Sequence, residues 1–167
     1  MIPGSLTDNY NPRTGLVSLS QGTYGSTSVA ALAVAAHEIG HVMQHQEGYI
    51  PIKIRNAILP AASIGSTAAP YIVILGAIMG SYNLAMIGVY LFLAMLIFQI
   101  VTLPVELNAS SRGLEMLESG GYISYDQRGD AKAVLKAAAM TYIVAALSTL
   151  VSFLRLLMIA NNSRRRN

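Results

Sequence analysis

The chain has no cysteine, which excludes a disulfide framework and every thiolate zinc site, so any metal must be held by His, Asp or Glu. Charge is scarce too. Only 11% of the 167 residues are charged and 53% are hydrophobic, whereas about a quarter of a soluble domain is charged. The balance points to a membrane protein. The N-terminus has neither a basic n-region nor an apolar h-region, so no signal peptide is read there. The net charge of +3 is scattered, with no basic patch interleaved with aromatics, and this argues against a nucleic-acid partner.

Against that background, His37-Glu38-Ile39-Gly40-His41 stands out. On a helix, positions i and i+4 share a face one turn apart, so both imidazoles can reach one ion. Neutral imidazole suits Zn²⁺, and three protein ligands leave a fourth position open to water, whose acidity the metal raises. In that arrangement Glu38 is the general base and not a ligand. The helical context is present. Ser26, Thr27 and Ser28 offer N-cap oxygens, Val29 to Glu47 has no internal Pro, and Gly48 followed by Pro51 reads as a stop. The small, apolar run Ala30 to Ala36 predicts that this helix is buried.

Residues 1–25 are turn-rich, with one short strand expected over Leu16 to Ser20. That strand is either an edge for an extended peptide substrate or ordinary packing against the helix. From Asn56 to Val105 no residue is charged. Fifty such residues suffice for two crossings at about 20 residues each, expected near Ile58 to Met79 and Leu84 to Leu103, with Gly80-Ser81-Tyr82-Asn83 as the turn. A third span is expected from Val134 to Ile159, around the charge-free core Ala137 to Leu154.

Two crossings return the chain to the side of the metal helix. Glu106 is the first charged residue after them, and Pro104 is expected to fix where a new short helix begins. Two His and one downstream Glu around zinc is the thermolysin-like ligand set. His45 is a weaker third ligand, because a straight helix cannot wrap three residues over two turns around one tetrahedral ion. Arg112 is read either as an oxyanion stabiliser or, more simply, as an ion-pair partner of Glu115 or Glu118. Asn108 is a candidate for orienting a ligand.

The sequence resembles the YugP-type membrane zinc metallopeptidases and, more distantly, the HtpX heat-shock proteases and CAAX prenyl endopeptidases. The resemblance rests on Leu6-Thr7-Asp8-Asn9-Tyr10-Asn11-Pro12, Ala35-Ala36-His37-Glu38-Ile39-Gly40-His41, Glu106-Leu107-Asn108-Ala109-Ser110 and Ala137-Ala138-Ala139-Met140-Thr141-Tyr142. It implies a membrane-embedded zinc endopeptidase. In the HtpX-like proteins the third ligand is the Glu of a Glu-x-x-Ala-Asp pattern, which falls here on Glu106, Ala109 and Ser110. Ser110 replaces the Asp, so a hydroxyl or another acid must orient a ligand histidine. Family members also carry a further N-terminal segment with a membrane helix.

The expectation is therefore a mainly α integral membrane protein with a zincin-like metal helix and a short N-terminal strand. It forms one metallopeptidase domain divided into a metal-helix region (1–55), a transmembrane hairpin (56–105), a third-ligand helix and loop (106–133), a transmembrane helix (134–160) and a basic tail (161–167). Expected partners are the lipid bilayer and a membrane-associated protein or peptide substrate; nothing in the sequence specifies an oligomeric state. Seven basic residues on the metal's side against three in the tail predict a cytoplasmic active site, in what the resemblance implies is a bacterial plasma membrane. The competing readings are a catalytically silent metal-binding membrane scaffold and, more weakly, a metal transporter.

Overall fold

The computed structural model describes residues 1–4 and 7–164. Ser5, Leu6 of the N-terminal motif and residues 165–167 of the expected basic tail lie outside the described residues. The fold is mainly helical: β1 (Asn9–Asn11), β2 (Leu16–Ser18), α1 (Gln21–Tyr24), α2 (Val29–Gln46), α3 (Ile50–Ile78), α4 (Tyr82–Ser119) and α5 (Arg128–Arg164). Three of these helices, α3, α4 and α5, are long and apolar enough to cross a membrane. Contacts divide the chain into a first unit, Met1–Ile52 with Pro104–Thr141, and a second, Lys53–Leu103 with Tyr142–Asn167.

The first unit holds the metal helix. Ser28 caps α2, its hydroxyl accepting from the Ala31 amide at 3.2 Å. Gly48, at φ 69°, ends it in the left-handed conformation a glycine reaches without strain. The N-terminal strand is one half of a hairpin: Tyr10 pairs with Val17, and Asn11 accepts from Arg13 and Gly15 across the turn. Two asparagines in three residues hide β1 in the sequence, since Asn is depleted in strands and the turn, not strand propensity, sets this pairing. Ser20 is buried and donates to both Asp8 carboxylate oxygens, through its amide at 2.9 Å and its hydroxyl at 3.2 Å.

Small residues let α2 and the C-terminal part of α4 meet backbone to backbone. A Cβ at Gly40 would lie 2.2 Å from the Ala109 carbonyl oxygen, and one at Gly113 would lie 2.6 Å from that of Ala36. Around this crossing Ala33, Ala36, Leu117, Ile123, Ala131 and Leu135 form a buried cluster.

The second unit is built on the same device. A Cβ at Gly65 would meet the Leu91 carbonyl oxygen at 2.1 Å, and one at Gly76 the Ala85 amide nitrogen at 2.4 Å. In lipid, where helices gain nothing from excluding water between them, such small-residue seams allow close van der Waals packing. Ala69, Val73, Ala85, Val89, Phe92, Leu156 and Ala160 are the buried centre of this unit. Outside it, Ile74, Ile78, Ile87, Val144 and Val151 stand about half exposed or more, as lipid-facing side chains would.

Two helix boundaries differ from the sequence reading. The first hairpin helix starts at Ile50, eight residues before the expected span, because Pro51 stands in the first turn, where its missing N–H costs no hydrogen bond. Pro104 does not begin a new helix: α4 runs unbroken from Tyr82 to Ser119 with Pro104 inside. A proline deletes one i to i−4 bond, whereas ending the helix in an apolar setting would leave several backbone groups unsatisfied.

Candidate metal centre

His37 and His41 project from one face of α2, with ring centroids 4.8 Å apart and ring planes at 84°. From α4, Glu106 enters between them and is only 2% exposed. Its Oε2 lies 3.1 Å from His37 Nε2 and 3.5 Å from His41 Nε2. One ligand atom from each of the three residues falls within 4.8 Å of the others. Two nitrogens and a carboxylate oxygen suit zinc, whose bonds of roughly 2.0–2.1 Å in a tetrahedron place neighbouring donors about 3.3 Å apart. The separations to Glu106 bracket that value, so the residues present fit the ion.

Each histidine is held from behind. Gln44 is fully buried; its Nε2 donates to the Val105 carbonyl at 2.7 Å and to Asn108 Oδ1 at 2.9 Å. Its Oε1 is thereby turned to His41 Nδ1, at 3.0 Å. This contact puts a proton on Nδ1 and leaves Nε2 facing Glu106. Ser110 Oγ lies 3.0 Å from His37 Nδ1, so a hydroxyl occupies the orienting position where an Asp is expected from the resemblance. Gln44 is absent from the sequence reading, although its place three residues after His41, on the same helix face, is the signal that would have found it.

Glu38 is 8% exposed. Burial raises its carboxyl above the ordinary value; nearby His37 and His41 work against that rise, and the Glu106 and Asp8 charges add to it. For His41, burial is the largest single influence and acts downward. The Glu106 hydrogen bond and charge, the Gln44 hydrogen bond and the Glu38 charge together outweigh it, so its pKa is raised.

The remaining candidates sit elsewhere. His45 meets the Tyr10 hydroxyl at 3.1 Å and is not in the ligand group. Arg112 pairs with neither Glu115 nor Glu118. It donates to Asn108 Oδ1 at 2.8 Å, reaches Glu47, the C-cap residue of α2, at 2.7 Å and lies over the Tyr49 ring. The helix crossing brings that acid closer than the same-helix partners, and Glu118 pairs with Arg128 instead. Asn108 joins Arg112 to Gln44 and so touches the ligand shell at one remove.

A family model described as "Putative neutral zinc metallopeptidase" matches residues 1–161. Among curated proteins, the chain is similar to "Putative membrane protease YugP" of Bacillus subtilis (strain 168). The two are 43% identical over 166 residues, covering 99% of this chain and 74% of that protein. No solved structure matches the chain.

Proposed function

Since the chain belongs to the neutral zinc metallopeptidase family, we propose that it is a membrane-bound endopeptidase hydrolysing peptide bonds of membrane or membrane-proximal proteins. The carrying observation is the convergence of His37, His41 and Glu106 with Glu38 adjacent on the same helix. His37, His41 and Glu106 hold Zn²⁺. When bound there, the ion supplies Lewis acidity that polarises a scissile carbonyl and makes a water acidic near neutral pH.

Glu38 takes a proton from the attacking water and returns it to the amine that leaves. Its burial suits this role, because a carboxylate whose pKa is raised toward the working pH takes the water's proton more readily and can still return it in the second step. Gln44 and Ser110 keep the imidazoles in the tautomer that turns Nε2 to the ion, so the ligand set needs little reorganisation. Three long apolar helices support a membrane setting. The excess of Lys and Arg on the metal's side supports a cytoplasmic orientation.

The test is Glu38→Gln, which keeps shape and removes the base. Purified protein is assayed on a quenched-fluorescent peptide library, and zinc is counted by plasma mass spectrometry. Hydrolysis should fall by about 10²–10⁴-fold with zinc content unchanged. Undiminished hydrolysis in the variant would remove Glu38 from the mechanism, and a wild-type protein that binds zinc but cleaves nothing would be the silent scaffold.

A further inference from the structure

Every charged side chain of the second unit has the same sign. Residues 53–103 and 142–167 contain Lys53, Arg55, Arg155 and Arg164 to Arg166 and not one Asp or Glu; all eight acidic residues of the chain lie in the first unit. Arg155 is the cation that lies within a cavity. It sits in α5, a helix fit to cross a membrane, and its guanidinium has no hydrogen-bond or ion-pair partner among the described residues.

Its depth can be worked out. The charge-free core Ala137 to Leu154 ends immediately before it. Eighteen helical residues rise roughly 27 Å, nearly the ~30 Å of a bilayer's hydrocarbon layer. With that core centred in the hydrocarbon, Arg155 stands at the boundary with the headgroups. Asn161 and Asn162 follow roughly 10 Å further along the axis.

The helix is also turned suitably. Leu156 and Ala160 are buried in the core of the unit, which leaves Arg155, Met158 and Asn162 along an outward stripe at i, i+3 and i+7. A cavity of about 540 Å³ opens there, lined by Arg155, Met158, Ile159, Asn161 and Asn162. Arg155 at one end offers a fixed cation and the Asn161 and Asn162 carboxamides at the other offer hydrogen-bond donors, with the apolar side chains of Met158 and Ile159 between them. That combination matches an amphiphile with an anionic head, because a guanidinium binds phosphate oxygens two at a time.

We propose that this cavity is a binding site for an anionic phospholipid, its phosphodiester on Arg155, its polar headgroup reaching past Met158 to the Asn161 and Asn162 amides, and its acyl chains running back from Arg155 into the hydrocarbon beside the exposed Leu154 and Val151. An anionic headgroup is favoured over a zwitterionic one, since an ammonium group would find no Asp or Glu side chain anywhere in this unit. The site is independent of the metal centre and of the proposed hydrolysis.

The experiment reconstitutes the full chain in nanodiscs of phosphatidylcholine alone or mixed with phosphatidylglycerol, and reads retained lipid by mass spectrometry and thermal stability by intrinsic fluorescence. Wild-type protein should retain phosphatidylglycerol selectively and melt at a higher temperature with it. Arg155→Gln should lower that retention about fivefold, the effect of one basic residue at an anionic surface, and Arg155→Lys should restore part of it. Circular dichroism checks that both variants are folded. Replacing Arg164, Arg165 and Arg166 together by Gln should leave most of the retention in place. Equal retention by wild type and Arg155→Gln would overturn the site, as would loss with the tail variant alone. The same thermal shift from inorganic phosphate in phosphatidylcholine nanodiscs would overturn the lipid assignment in favour of a free anion.

Discussion

Gly40→Ala tests the whole arrangement through one methyl group. The added carbon would lie 2.2 Å from the Ala109 carbonyl oxygen, 2.8 Å from its carbon and 3.0 Å from its Cα. Ordinary contact begins near 3.5 Å, so α2 and α4 must part by about 1 Å. The obstacle is backbone on both sides, and no rotamer change relieves it. Overpacking of this kind costs about 1–3 kcal/mol. The functional cost is larger. The two histidines ride on α2 and Glu106 on α4, three residues from Ala109, and their 3.1 and 3.5 Å separations are already those zinc requires. A shift of about 1 Å in a positioned group lowers activity roughly 10²-fold. Zinc affinity, measured by competition with a chromogenic chelator, should fall by a comparable factor, and Gly113→Ala should do the same from the other side of the seam, at 2.6 Å from the Ala36 carbonyl oxygen. Gly129→Ala is the control: beyond its chain neighbours and its own helix turn nothing lies within 4 Å of the new carbon, so zinc binding should be unchanged. Wild-type zinc affinity in Gly40→Ala would refute the idea that close backbone approach builds the site.

The contacts behind the histidines make two further predictions. Ser110→Ala should weaken zinc binding about tenfold by freeing the His37 ring, and isothermal titration reads this directly; an unchanged affinity would mean the hydroxyl does not orient the ligand. Gln44→Leu orphans buried His41 Nδ1 and removes a second donor from the Val105 carbonyl, which keeps its helical bond, and from Asn108 Oδ1, which keeps Arg112. It should cost roughly 1–3 kcal/mol for each buried group left unsatisfied, seen as a lowered melting temperature together with weaker zinc binding. Melting at the wild-type temperature would sink that account. The metal-free protein should also lose stability as pH rises. Glu38 and His41 both hold their protons more tightly folded than unfolded. Their contributions are therefore complete below 4.5 and 6.5 respectively, and are lost as pH climbs through the higher folded values. Melting in detergent with chelator should fall on going from pH 6 to higher pH. Zinc should reverse the slope, since ligation needs neutral imidazole and ionised carboxylate. A melting temperature that rises with pH without metal would contradict the raised values.

Much of the site was legible because its signals are local. Caps and a stop glycine bounded α2 to within one residue of the expected Val29 to Glu47. The uncharged fifty residues marked the hairpin, and Glu106, the first charge beyond it, duly lies beside both histidines. The Ser-for-Asp exchange at 110 was visible as a gap some other group must fill, and the hydroxyl itself fills it. The sequence misled where the outcome depended on what surrounds a residue. Pro104 marks a helix start in water, but α4 continues through it. Arg112 has Glu115 at helical spacing, yet an acid at the C-cap of another helix takes it.

What the sequence determined alone is the donor set and its spacing, together with the hydrophobic lengths, because a helix's 3.6-residue period and a bilayer's thickness are properties a linear chain can encode without its partners. Only the tertiary structure decided which backbone carbonyl Gly40 would touch, that Gln44 would turn its oxygen to His41, and that Glu106 would approach both rings at once. Those depend on how two helices far apart in the chain settle against each other, at a distance fixed by the absence of a single side chain.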